Sequence, residues 1–78
     1  MPTLDYFDGI RILIYPNDHN PPHFHVEYAE HEALIEILTL KTLVGKLPSK
    51  IIIKVKTWAE DKTLILLAKF QELNPNLR

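Results

Sequence analysis

The sequence predicts a single α+β domain: a small antiparallel sheet of three to four strands, followed by one long C-terminal helix packed on one of its faces. Three observations lead there. Apolar and polar residues alternate with period two in short stretches of the first half, turn-forming residues separate those stretches at hairpin distances, and the last third changes to a helical period. At 78 residues the chain has room for one domain, residues 1–78. A core of that size leaves only a few kcal/mol of net stability, so such a domain gains from a partner.

Tyr6, Phe7 and the Asp8-Gly9 turn anchor the N-terminus. Gly9 to Tyr15 alternates, with Ile10, Ile12 and Ile14 on one face and Arg11, Leu13 and Tyr15 on the other, and reads as the first strand. Pro16 to Pro22 is a loop stiffened by three prolines, which remove donors and favour turns. His23 to Tyr28 and Ala33 to Thr39 alternate again and form a hairpin around Ala29 to Glu32. In that register Tyr28 faces Ala33, Val26 faces Ile35 and Phe24 faces Ile37, so one side carries only apolar pairs. The same register sets His25 opposite Glu36, His23 opposite Leu38 and Glu27 opposite Leu34. A short fourth strand is expected near Leu43-Val44. Ser49, preceded by Pro48, is placed to cap a helix that runs to Leu73, where Asn74-Pro75 stops it. Ile52, Val55, Ala59, Leu66, Phe70 and Leu73 mark its buried stripe.

One helix covers one face of a small sheet, and the isoleucine-rich face suits it. The opposite face then stays open, with Leu13, Tyr15, Glu27, Leu34 and Leu38 as the expected partner-binding residues. An uncovered surface of that mixed character points to a partner protein or to a homodimer.

Composition narrows the function classes. Hydrophobic residues make up 46% and charged residues 24%, with a formal charge of -1, which describes an ordinary globular protein and lends no support to nucleic-acid binding through bulk charge. The longest wholly apolar run, Leu64 to Ala68, is too short to span a membrane, and no basic-then-apolar leader opens the chain, so a cytoplasmic protein is expected. Cysteine is absent. Any metal would therefore be held by His, Asp, Glu or backbone oxygen.

The chemistry-bearing residues concentrate in Asn17-Asp18-His19-Asn20-Pro21-Pro22-His23-Phe24-His25. On a strand, His23 and His25 leave the same face about 6.6 Å apart at the backbone, a spacing from which two imidazoles converge on one ion. His19 or Asp18 would supply a third ligand, and the set suits a divalent transition metal such as Zn, Fe, Ni or Mn. A metal-free alternative uses His23, His25, Glu36 and Arg11 as a hydrolytic or nuclease-like group, with the imidazoles as acid and base and Arg11 steadying a phosphate. Against both stands a structural role, in which the histidines satisfy backbone carbonyls and local carboxylates. His31 is expected to face solvent. Lys46, Lys50, Lys54 and Lys56 form a solvated patch, and Trp58 is expected to pack beneath the sheet edge.

The runs Tyr6-Phe7-Asp8-Gly9-Ile10, Asp18-His19-x-Pro21-Pro22-His23-Phe24-His25-Val26, Glu32-Ala33-Leu34-Ile35, Gly45-Lys46-Leu47-Pro48 and Trp58-Ala59 resemble the uncharacterised bacterial family catalogued as domain of unknown function 4160. The resemblance covers most of the chain in the family's order. It implies a small prokaryotic protein encoded beside another small protein, in a two-gene arrangement that looks like a toxin-antitoxin pair. It carries no assigned catalytic residue.

Overall fold

Strand pairing begins before the Asp8-Gly9 turn as well as after it. A computed structural model describes residues 3–16 and 18–75. They form β1 (Thr3–Phe7), β2 (Ile10–Leu13), β3 (His23–Tyr28), β4 (His31–Glu36), β5 (Thr42–Gly45), α1 (Ser49–Ala59) and α2 (Thr63–Leu73). The strands make one antiparallel sheet in chain order. This corrects the expected architecture on two counts: the sheet has five strands where three to four were expected, and two short helices replace the long one.

The missed strand is β1. Its register slips between Thr3 and Asp5, so the bulged Leu4 breaks the period-two pattern by which a strand is recognised. Asp8 and Gly9 both take positive φ, at 50° and 78°, and close a two-residue hairpin of the kind that Asp-Gly favours. The edge strand is fastened to α1 by Trp58, whose indole stacks on Phe7 at 5.8 Å and donates to Asp5 Oδ2 at 2.8 Å.

The hairpin of β3 and β4 is also tighter than expected. Tyr28 pairs with His31, Val26 with Ala33 and Phe24 with Ile35, a shift of two residues from the expected register. A two-residue step keeps every side chain on its face, and only the cross-strand partners change. His25 therefore faces Leu34, His23 faces Glu36, and Glu27 faces Glu32. The shorter loop is reached with Ala29 at φ 52°. His31, expected in solvent, stacks on Tyr28 at 6.4 Å.

The helical segment breaks at Asp61-Lys62. A straight helix over 49–73 would run about 37 Å at 1.5 Å per residue, beyond the 34 Å largest extent of the whole protein. Between Ala59 and Leu66 the apolar stripe has only Lys62 and Thr63 where a continuous helix would place its next buried residue. α1 instead ends at Ala59, and Lys62, the residue just before α2, folds back on it, its backbone N–H bonding the Ala59 carbonyl at 2.9 Å and its ammonium the Trp58 carbonyl at 2.8 Å. The chain then turns so that Leu66 and Phe70 return to the core already filled by Ile51, Val55 and Ala59. Ile51, not Ile52, is the buried residue of the first turn. Ser49 is the first helical residue, and the cap position belongs to Pro48, whose carbonyl receives the N–H groups of Ile51 and Ile52.

Both helices contribute to the same cluster as Ile10, Ile12, Ile14, Phe24, Val26, Ile35 and Ile37. The residues of the opposite sheet face lie outside that cluster. Among the described residues no helix is long and apolar enough to cross a membrane.

Gly45 joins β5 to this sheet at a position where only glycine fits. Its φ is 85°, and a Cβ there would lie 2.1 Å from the Glu32 carbonyl oxygen and 2.9 Å from Ala33 Cα. Gly45→Ala should therefore lose about 1–3 kcal/mol from backbone strain alone, with more from the clash. Urea unfolding checks this as a lowered midpoint; an unchanged midpoint would contradict the close approach of β5 to β4.

Candidate functional site

The loop between β2 and β3 returns the chain to the start of β3, and there Asp18, His23 and His25 meet. The carboxylate is the common point. His25 Nε2–H donates to Asp18 Oδ2 at 2.8 Å, and His23 Nε2 lies 3.1 Å from the same oxygen. The two imidazoles are 5.2 Å apart between ring centres. One coordinating atom from each of the three residues lies within 4.8 Å of the others.

Each ring is fixed by its surroundings. His23 is 4% exposed, packs against Phe70 of α2 at 5.6 Å, and sits 2.8 Å through Nδ1 from the Pro21 carbonyl. A carbonyl only accepts, so the hydrogen of a neutral His23 resides on Nδ1 and Nε2 presents a lone pair. That Nε2 is buried and has no hydrogen-bond partner. Its 3.1 Å approach to Asp18 is close in distance but lacks hydrogen-bond alignment. His25 is less enclosed and meets the Tyr15 ring edge-on at 4.5 Å.

Asp18 is placed by a residue far along the chain. The Asn74 side chain, just beyond α2, accepts the Asp18 backbone N–H through Oδ1 at 2.6 Å. It donates through Nδ2 to the carbonyls of Tyr15 at 3.1 Å and Phe70 at 3.0 Å. Asn74 is 5% exposed, so these bonds replace solvation that burial removes. By sequence alone Asn74 is a helix stop. Its polar side chain directly after an apolar helical stripe was the signal that it bonds inward.

The other expected site residues are dispersed. His19 is exposed and stands outside the three-residue group. Glu36 faces His23 across the strands, but its carboxylate accepts the Thr39 hydroxyl at 3.0 Å. Arg11 pairs with Glu27 at 3.5 Å and lines a separate recess of about 190 Å³ with Tyr6, Gly9 and Ala29. Asn17 lies outside the described residues. Of the expected partner-binding residues, Leu38 is exposed, while Tyr15, Glu27 and Leu34 are half-buried. Leu13 is 0% exposed and offers a partner no surface.

Fold and site together define a small α+β domain with one helix-covered sheet face and a partly buried histidine–carboxylate group at the β2–β3 loop. A family model described as "Domain of unknown function (DUF4160)" matches residues 9–71, and the chain belongs to that family. No curated protein and no solved structure matches the chain. The matched span contains Asp18, His23 and His25 and stops short of Asn74.

Asn74→Ala leaves the Asp18 N–H and the Tyr15 carbonyl without their partner, while the Phe70 carbonyl keeps the backbone N–H of residue 74. The expected loss is about 1–3 kcal/mol, the cost of unsatisfied buried polar groups. Chemical denaturation measures it; a variant as stable as the wild type would show that Asn74 does not hold the loop.

Proposed function

We propose that the chain is an interaction component that docks a small partner protein through the uncovered sheet face and the adjoining histidine loop, in the two-gene, toxin-antitoxin-like setting implied by the family resemblance. A cytoplasmic location goes with this reading. The observation that carries it is the character of the uncovered face. Leu34 of β4 and Val44 of β5 are cross-strand partners there, Val44 is 60% exposed, and Leu38 just beyond β4 is 63% exposed. Exposed aliphatic side chains beside a sheet edge mark a surface suited to pairing with another chain. The dispersal of Glu36 and Arg11 favours the same reading over a hydrolytic centre built from His23, His25, Glu36 and Arg11.

A second reading, hydrolysis by the histidine pair, is supported by one observation: Asp18 orients His25 as a carboxylate orients a general base. The oriented residue pair differs from the His25–Glu36 pair expected from the sequence. If this reading is right, purified protein cleaves RNA or another phosphodiester with or without a chelator, and His25→Ala abolishes the cleavage.

Co-expression with the product of the adjacent gene should yield a complex that survives size-exclusion chromatography. Val44→Glu and Leu38→Glu, both at exposed positions where the fold tolerates charge, should weaken that complex at least tenfold. A wild-type chain that stays monomeric beside the neighbouring product would contradict the proposal, and a self-paired dimer would assign the face to a second copy instead.

A further inference from the structure

We propose that Asp18, His23 and His25 form a binding site for one divalent transition-metal ion. The inference goes beyond the partner-docking reading and rests on a different observation, the lone pair of His23 Nε2. That atom belongs to a ring 4% exposed, has no hydrogen-bond partner, and stands 3.1 Å from a carboxylate oxygen. With His23 neutral, two electron-rich atoms face one another and repel unless positive charge lies between them, carried by a proton on Nε2 or by a metal ion. A cation coordinated by both removes that conflict.

The remaining chemistry agrees. Two imidazole nitrogens and one carboxylate oxygen are the donors chosen by zinc and its first-row neighbours, whereas calcium and magnesium take oxygen ligands almost throughout. Zinc bonds nitrogen and oxygen at about 2.0–2.2 Å, so tetrahedral neighbours stand about 3.4 Å apart. The approaches of 2.8 and 3.1 Å to Asp18 Oδ2 need to open by about 0.6 and 0.3 Å to reach that spacing. Metal-ligating histidines characteristically donate their other ring N–H to a backbone carbonyl or carboxylate, which fixes the ring and raises its basicity. His23 already does so through Nδ1 to Pro21.

His25 makes one adjustment. Its Nε2 hydrogen now points at Asp18, and coordination through Nε2 moves that hydrogen to Nδ1 by exchange with water, with no net change in charge. Asp18 and His25 are about one-fifth exposed while His23 is enclosed, so the ion enters from the Asp18–His25 side. Three protein ligands leave a fourth position there for water or for a donor atom from a bound partner.

The test is zinc titration of chelator-treated full-length protein by calorimetry, with cobalt(II) absorption reporting coordination geometry. Wild type should bind one zinc per chain and give a tetrahedral cobalt spectrum. Asp18→Asn and His25→Gln, partly exposed positions where the fold survives the change, should each lower affinity at least tenfold, and His19→Ala should leave it unchanged. Circular dichroism confirms that each variant is folded; should His23→Ala fail to fold, the Asp18 and His25 variants decide the matter. Wild-type protein that takes up no zinc or cobalt at micromolar concentrations, or binding indifferent to Asp18→Asn and His25→Gln, overturns the proposal. Neither result bears on the partner complex, which is read by co-purification.

Discussion

Asp18 is held from two directions, and the placement of the β2–β3 loop depends on that grip. Its backbone N–H is bonded by Asn74 beyond α2, and its carboxylate receives His25 from β3. The first bond joins the loop to the helical layer, and the second joins it to the sheet. Asn74 also bonds the carbonyls of Tyr15 and Phe70, so one buried amide ties the start of the loop, its middle and the end of α2. A proline-rich segment that would otherwise be set only by local turn chemistry takes its position from the core.

That core is built on one sheet face. Each fully buried Ile, Val, Leu or Phe contributes roughly 1.5–3 kcal/mol relative to exposure, and the cluster includes Phe24, Val26, Ile35, Leu66 and Phe70 at or near zero exposure. The gain offsets the large chain entropy of ordering so few residues and leaves little surplus. Splitting the helix lets both halves reach the same cluster. The same economy leaves Leu34, Leu38 and Val44 with no helix over them. A small domain that has placed its helices on one side leaves the other without that cover.

Much of this was legible in the residues. The isoleucines of Gly9 to Tyr15, the alternation from His23 to Tyr28 and from Ala33 to Thr39, and the Leu43-Val44 pair located four of the five strands, and the faces of His23 and His25 followed from period two. The rest depended on effects that pattern alone does not contain. The Leu4 bulge hid β1, and the two-residue turn at Ala29-Glu30 moved the β3–β4 register by a step that periodicity cannot detect, since both registers bury the same side chains. The helix break was signalled by Lys62 and Thr63 in the stripe, but helical propensity around them ran unbroken. At the site, the sequence offered His19 or Asp18 beside His23 and His25, and the structure brings Asp18 to the pair. The sequence could not separate Asp18 from His19 as the third member, because the choice is made by Asn74, which lies 56 residues away from Asp18. The pairing of His25 with Glu36 failed with the register, and Leu13 proved interior although alternation put it on the open face.

The central claim is that the two histidines occupy opposite tautomers around one carboxylate, with His23 presenting a bare nitrogen to it. Long-range proton–nitrogen correlation NMR of metal-free, nitrogen-15-labelled protein reads this directly. The account predicts a hydrogen on Nδ1 of His23 and on Nε2 of His25, each as a single slowly exchanging species set by the Pro21 carbonyl and by Asp18. A His23 ring carrying its hydrogen on Nε2, or both rings averaging freely between tautomers, would contradict it.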